Sequence, residues 1–257
     1  MQILNSELKY EEFLANLRDA SNKALILDYD GTLAPFRKNP SEAYPYEGIP
    51  ELLNPIIEMP DTRVVIISGR WTKDLIPLLK LKNQPEIWGT HGIERLKPDG
   101  TYHTAELDER ALQALARVDE WCEANGLENK CEKKPGSLAI HWRGLDDSRI
   151  KDIKNKVDLI LPNIPDSSRL DLHKFDGGVE LRIPSRDKGD AVTTIMNEMP
   201  EGTPGVYMGD DLTDEDAFKA IKKWGIGILV RKEFRATAAD VWIKPPDEVK
   251  DFLKSWS

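Results

Sequence analysis

Two carboxylate clusters far apart in the chain are the residues best suited to chemistry. The first is Asp28-Tyr29-Asp30-Gly31-Thr32 and the second is Gly209-Asp210-Asp211-Leu212-Thr213-Asp214-Glu215-Asp216. Extended backbone alternates its side chains, so Asp28 and Asp30 fall on the same side. Two carboxyl groups so placed can divide labour, one ionised as a nucleophile and the other held protonated as a general acid. An isolated Asp-Gly pair only marks a turn, but Gly31 also permits a tight bend whose N–H groups can face an anion. In the second cluster Thr213, with Asp216 three residues on, fits a helix N-cap, and Asp214 at the helix start suits the dipole. Capping alone leaves Asp210 and Asp211 unexplained. Carboxylates gathered at strand ends are hard oxygen ligands suited to Mg²⁺, which takes one or two and keeps waters and substrate oxygens for the rest. A calcium EF-hand loop is excluded, because the central Gly and terminal Glu are not at the required spacing.

Two further pieces are hydroxylic or cationic: Ser68-Gly69-Arg70 and Lys188-Gly189. Taken singly they read as a turn and a surface lysine. Electrostatics gives them a role. A phosphate dianion entering among Asp28, Asp30, Asp210, Asp211 and Asp214 meets like charges, each costing up to roughly 4 kcal/mol at about 4 Å and an effective dielectric near 20. One Mg²⁺ and the Lys188 ammonium together supply three positive charges, and the same groups can stabilise charge in a phosphoryl-transfer transition state.

These residues need elements that bring them together. Ala24-Leu25-Ile26-Leu27 runs into Asp28, Val64-Val65-Ile66-Ile67 into Ser68, and Val206-Tyr207-Met208 into Gly209 and Asp210. Continuous apolar runs of this kind read as central strands of a parallel sheet, buried on both faces. Open sheets bind ligands beyond the carboxyl ends of their strands, where Asp28, Ser68 and Asp210 would fall. Helices are expected over Asp74 to Leu81 and Asp214 to Lys223, and further strands over Ile226 to Val230 and Val241 to Ile243. The alternation is that of an α/β fold. The N-terminal segment, with Tyr10, Phe13, Leu14 and Leu17 on one helical face, is expected to pack on the sheet.

Between about Thr104 and Ile183 the pattern changes. Glu106 to Ala124 reads as a helix with Leu112, Leu115, Val118 and Cys122 on one face. Cys131 to Lys134 and Leu138 to Arg143 read as strands around the Pro135-Gly136 turn. Ser148 to Leu161 reads as a second helix, and Leu170 to Phe175 and Val179 to Ile183 as strands around Asp176-Gly177-Gly178. Helix, hairpin, helix, hairpin describes a small α+β unit inserted into the larger one. The expected division is 1–103 and 184–257 for the larger domain and 104–183 for the insert. A cleft between two domains commonly holds a small ligand. Trp88 or Trp142 could line it, although core packing explains a Trp as well.

The 257 residues suffice for such an arrangement, and 40% hydrophobic with 32% charged residues exclude disordered and collagen-like classes. Thirty-six Lys and Arg against 45 Asp and Glu give a formal charge of -9, which disfavours nucleic acid as a partner. The two cysteines, Cys122 and Cys131, form no Cys-x-x-Cys pair, so neither a disulfide framework nor a cysteine zinc site is expected. No apolar segment approaches about 18 residues and no export signal is visible, so a cytoplasmic protein without membrane contact is expected.

In order, Leu27-Asp28-Tyr29-Asp30-Gly31-Thr32-Leu33, Ser68-Gly69-Arg70, Lys188-Gly189 and Gly209-Asp210-Asp211-Leu212-Thr213-Asp214-Glu215-Asp216-Ala217-Phe218 resemble the four motifs of the haloacid dehalogenase (HAD) superfamily. Within it the chain most resembles the trehalose-6-phosphate phosphatases, because Glu132, Lys134, His141 and Arg143 in the first insert hairpin, and Gly178-Val179-Glu180-Leu181-Arg182, are similar to that family's cap motifs. The resemblance implies a Rossmann-like core with a parallel sheet and an α+β cap of the C2 type. It implies that Asp28 attacks phosphorus to form an aspartyl-phosphate, while Asp30 protonates the leaving oxygen and later activates water. Asp28, the backbone carbonyl of Asp30, and Asp210 would hold Mg²⁺, with Asp211 and Asp214 orienting that set. Ser68 and Lys188 would hold the phosphate, and Thr32, Gly69 and Arg70 count with them as substrate contacts. Glu132, Lys134 and Glu180, then His141 and Arg182, would contact sugar hydroxyls, although a charged strand face in water would look the same. Asp187 stands where the family commonly has Asn, and Gly89-Thr90-His91-Gly92 matches its His-Gly segment loosely. The expected activity is hydrolysis of trehalose 6-phosphate by a monomer that works alone on substrate made elsewhere. Phosphatases for sucrose 6-phosphate or mannosyl-3-phosphoglycerate would share the core motifs, and a non-catalytic sugar-phosphate sensor would have lost Asp28 or Asp30.

Overall fold

The computed structural model describes residues 1–160, 170–175, 177–184 and 186–256. Leu161, the expected end of the second insert helix, and Asp176, in the expected last turn, lie outside them. The chain divides into two compact units, Met1–His103 with Arg186–Ser257, and Thr104–Ser185.

The first segment contains β1 (Gln2–Ile3), α1 (Tyr10–Asp19), β2 (Lys23–Asp28), α2 (Ile49–Ile57), β3 (Thr62–Ile67), α3 (Thr72–Leu79), β4 (Glu86–Gly89), β5 (Glu94–Leu96) and β6 (Tyr102–Thr104). The second unit follows with α4 (Glu109–Ala124), β7 (Cys131–Lys134), β8 (Ser137–His141), α5 (Asp147–Ile160), β9 (Asp171–Phe175) and β10 (Gly178–Arg182). The chain returns with α6 (Lys188–Asn197), β11 (Gly205–Gly209), α7 (Glu215–Ile221), β12 (Gly225–Val230), β13 (Val241–Ile243) and α8 (Asp247–Lys254).

The large unit is built on one sheet in the order β1-β13-β12-β11-β2-β3-β4-β5-β6. Its centre is parallel: β2 pairs with β11 on one side and β3 on the other. The antiparallel pairs β1–β13 and β4–β5 lie toward the margins. Every residue of β2 and β11 is buried. Alternation accounts for their unbroken apolar runs: Leu25 and Leu27 join one core cluster with Tyr10, Leu17, Leu53, Leu75 and Phe252, while Ala24 and Ile26 join another with Ile195 and Phe218. Helices therefore cover both faces, and α1 packs on the sheet as its apolar face predicts.

Several boundaries differ from the sequence pattern. Helix α3 begins at Thr72 and ends where Lys80 turns left-handed, two residues earlier than expected at each end. Instead of one helix from Asp214, a 3-10 turn over Leu212–Asp214 leads into α7. In α4 the inward face is Ala111, Ala114, Leu115, Val118 and Cys122, whereas Leu112 is 41% exposed. The pattern chose the larger side chain, but small alanines let the helix lie close to its sheet.

The second unit has a four-stranded antiparallel sheet, β7-β8-β10-β9. One face, with Leu138, Ile140, Val179 and Leu181, packs against Val118, Cys122, Ile153 and Val157 of α4 and α5. The period of two sends the intervening residues to the opposite face.

Candidate active site

Pairing of β2 with β11 sets Leu27 beside Met208, and pairing of β2 with β3 sets Asp28 beside Ile67. The register brings Asp28, Ser68 and Asp210 to one edge of the sheet, at the carboxyl ends of three adjacent strands. Oxygens of Asp28, Asp210 and Asp214, all buried, lie within 4.8 Å of one another. Lys188, on the first turn of α6, reaches into this group. Its Nζ donates to Asp28 Oδ1 and to Asp214 Oδ1, each at 2.6 Å.

Asp214 is fully committed. Its Oδ1 also accepts from Tyr207 Oη at 2.5 Å, and its Oδ2 accepts the backbone N–H groups of Asp210 and Asp211 at 2.9 and 2.8 Å. Gly209 makes this loop possible, since a Cβ there would stand 2.4 Å from Asp214 Cγ. Asp211, not Thr213, is the N-cap of the 3-10 turn, with Asp214 closing a reciprocal capping box. A cap residue is therefore part of the acidic motif itself. Two guanidinium groups brace the same loop from behind β12: Arg231 donates to the Asp210 carbonyl at 3.1 Å, and Arg235 to the Asp211 carbonyl at 2.6 Å.

In the first motif Gly31 has φ of +87°, and a Cβ there would stand 2.2 Å from Asp210 Oδ2. Glycine is required both for the turn and for the approach of the second acidic loop. Within this bend the Gly31 and Thr32 N–H groups donate to the carbonyls of Ala34 and Tyr29. Thr32 is buried with its hydroxyl unpaired, and Asp28 Oδ2 is likewise buried without a partner. Asp30 lies outside the Asp28 group and is held by Arg70, whose Nε and Nη2 donate to its two oxygens at 2.6 and 2.7 Å. Ser68 is buried and its Oγ accepts from the Arg70 N–H at 3.1 Å. Gly69 lies under the His91 ring, which a Cβ would meet at 2.5 Å. Asp187 is the N-cap of α6, its carboxylate and that of Asp190 forming a capping box. Asp presents the same acceptor to that helix end as Asn would.

Burial, reinforced by Asp214, pushes the Asp28 carboxyl up to about 7 in spite of Lys188. Burial, with Asp28, Asp214 and Asp211, pushes Asp210 to about 9. Lys188 is driven the other way from what burial alone would do, because Asp214 and Asp28 hold it charged above its ordinary value. Three close carboxylates with one ammonium leave excess negative charge. The unpaired Asp28 oxygen and this mutual repulsion fit a divalent cation, whose charge would restore ionised carboxylates.

The second unit gathers the other expected residues on the polar face of its sheet. Glu132 Oε2 and His141 Nε2 are 2.8 Å apart, and Lys134 Nζ lies 3.4 Å from Glu132 and 3.8 Å from Glu180. Buried Glu180 accepts from Ser137 Oγ at 2.8 Å and from Arg182 Nε at 2.7 Å. Burial would raise Glu132, but the bond to His141 and the Lys134 charge take it down to about 2. His173 belongs to the same face, paired in register with Glu180. Sequence reading missed it, and missed Tyr207, Arg231 and Arg235. A hydroxyl in a buried strand and cations just past a strand's carboxyl end were the available signals.

A family model described as trehalose-phosphatase matches residues 26–241. A probable trehalose-phosphate phosphatase C of Arabidopsis thaliana is 31% identical over 93% of this chain and 78% of its own length. A trehalose-phosphate phosphatase of Mycobacterium ulcerans is 30% identical over 89% of this chain and 60% of its own. The C-terminal domain of trehalose-6-phosphate phosphatase from C. albicans, 20% identical, shares the fold with a TM-score of 0.73 over 100% of this chain and 99% of that one. Among the described residues no helix is long and apolar enough to cross a membrane. A haloacid dehalogenase-like hydrolase from B. subtilis, 14% identical, shares the fold with a TM-score of 0.61 over 90% of this chain and 99% of that one. With the acidic motifs converged at one sheet edge and the match running through all of them, the chain belongs to the trehalose-phosphatase family of phosphoric monoester hydrolases, built on the HAD-like fold.

Proposed function

We propose that the chain hydrolyses trehalose 6-phosphate to trehalose and inorganic phosphate through an aspartyl-phosphate on Asp28. The observation that supports this reading most is the convergence of Asp28, Asp210, Asp214 and Lys188, with one Asp28 oxygen unpaired. In the first step Asp28 Oδ2 bonds to phosphorus, and the electrons of the breaking P–O bond go to the sugar O6. The Asp30 carboxyl gives that oxygen its proton. In the second step Asp30 takes a proton from water, whose oxygen attacks phosphorus and releases phosphate from Asp28. Lys188 and Ser68 hold the phosphoryl oxygens, with Thr32, whose buried hydroxyl seeks a partner, and Gly69 beside them.

Asp28, Asp210 and the Asp30 carbonyl would hold Mg²⁺. When bound it neutralises the carboxylates and the phosphate against one another. Asp214 has no acceptor left for it and orients the set instead, with Asp211 fixing the turn. Glu132, Lys134, Glu180, His141 and Arg182 are assigned to sugar hydroxyls, because an array of alternating donors and acceptors suits a polyol. A cytoplasmic setting belongs to the same proposal.

The deciding experiment is phosphate release from trehalose 6-phosphate, sucrose 6-phosphate and mannosyl-3-phosphoglycerate, with and without Mg²⁺. Trehalose 6-phosphate should be the fastest and should need the metal. Preference for another of the three overturns the substrate assignment, and binding without release overturns catalysis.

A further inference from the structure

We propose that Arg70 is a positioning residue for Asp30 and not a ligand of the transferred phosphoryl group. The inference rests on the reading of Asp30 as the proton donor and acceptor, and deepens it. Asp30 lies just beyond the end of β2, and its side chain is 26% exposed. A carboxyl group in that position rotates about its last bond unless something holds it. Arg70 does so side-on, with Nε on Oδ2 at 2.6 Å and Nη2 on Oδ1 at 2.7 Å. Two parallel bonds to a planar fork fix the carboxylate plane, which a single contact cannot.

The fork is itself held by two further contacts. Its third nitrogen, Nη1, donates to the Pro40 carbonyl at 2.8 Å. The guanidinium carbon stands 5.7 Å from the centroid of the Tyr29 ring, within cation–π range. Tyr29 is buried and its hydroxyl is anchored on the Ala43 carbonyl at 2.7 Å. The backbone is pinned as well, with Arg70 N–H on Ser68 Oγ at 3.1 Å and Arg70 O accepting from Thr90 N–H at 2.8 Å. Ser68 and Asp30 are thus connected through one residue, so that the phosphate-binding loop sets the position of the proton-transferring group. Three guanidinium nitrogens spent on protein acceptors also make a poor phosphate clamp.

Proton transfer needs the Asp30 oxygen within about 2.6–3.2 Å of the bridging oxygen, and a misplacement near 1 Å costs roughly 100-fold. The test is a double-mutant cycle of Arg70→Gln and Asp30→Asn, read by single-turnover hydrolysis of trehalose 6-phosphate and by inhibition with inorganic phosphate. Arg70→Gln alone should lower the rate roughly 10- to 100-fold and leave the inhibition constant for phosphate unchanged. In the Asp30→Asn background the same substitution should have almost no effect, since the group it positions is already lost. An equal loss in both backgrounds, or phosphate inhibition weakened tenfold, would overturn the proposal. If Arg70→Gln does not fold by circular dichroism, Arg70→Lys keeps the charge and removes the fork. It should show the same rate loss with unchanged phosphate inhibition, and wild-type rates in it would sink the idea. Turnover by the unmodified chain separates the two levels. If the wild type prefers another phosphoester, the substrate reading fails and the cycle is run on that ester. If it turns over none, both fall.

Discussion

Lys188 and Asp28 stand 160 positions apart in the chain, and the fold brings Nζ and Oδ1 to 2.6 Å. The ammonium is buried, and its second short bond goes to Asp214. One positive charge thus serves a pocket with three carboxylates, and the remaining imbalance suits the site to a cation.

Asp28→Asn keeps the shape of the side chain and removes the oxygen proposed to attack phosphorus. It also removes one of the like charges that raise Asp210. Turnover should fall by about 10⁴ or more, while circular dichroism and substrate binding stay near wild type. Rates close to wild type would refute the covalent route.

Chelation should abolish turnover, and Mg²⁺ should restore it better than Ca²⁺, whose larger and looser shell misplaces the reacting groups. Binding of the ion should be visible without activity, because it relieves repulsion among Asp28, Asp210 and Asp214 and so raises Tm. Full rescue by Ca²⁺ alone would contradict the magnesium assignment.

Gly31→Ala tests the meeting of the two acidic loops. An added Cβ would lie 2.2 Å from Asp210 Oδ2, on backbone with φ of +87°. Gly48 has the same φ, but the nearest atom to its Cβ would be Lys250 Cδ at 3.7 Å. Both alanine variants should lose about 1–2 kcal/mol from left-handed strain, or roughly 2–8 °C in Tm. Only Gly31→Ala should lose turnover, because Asp210 must move. Equal turnover in the two variants would break the claim that this glycine shapes the metal site.

The central strands were legible because burial on both faces leaves an unbroken apolar run in each, and their carboxyl ends carry the motifs. Their neighbours were less so. Strand β4 begins with Glu86, whose charge hides a buried position until Arg63 and Arg95 are seen to pair with it. Thr213 reads as the cap in sequence because Thr is a common one, whereas the Asp211 carboxylate serves the cap from inside the acidic motif. Tyr207 was hidden inside an apolar run, since a run shows burial but not which hydroxyl finds a carboxylate. Leu112 shows the limit of periodicity, which cannot tell which neighbouring face of a helix a sheet will cover.

The ion-pair network around Glu86 gives a pH-dependent prediction outside the active site. Glu198 receives Arg95 Nη1 and Nη2 at 2.7 and 2.6 Å and Arg63 Nη2 at 2.7 Å. The hydrogen bonds it accepts from Arg95, joined by the one from Arg63, take the carboxyl from its ordinary 4.5 down to about 2. A depressed folded value means that the stabilisation is complete above the unfolded value and is lost as pH falls from about 4.5 toward 2. The side chain is 40% exposed, so solvent screening reduces the contribution to about 1 kcal/mol. Glu198→Gln should therefore be less stable than wild type at pH 6 in urea titrations, with most of that gap gone by pH 3. A gap that is the same at both pH values would mean that Glu198 acts through packing of its methylenes and not through its charge.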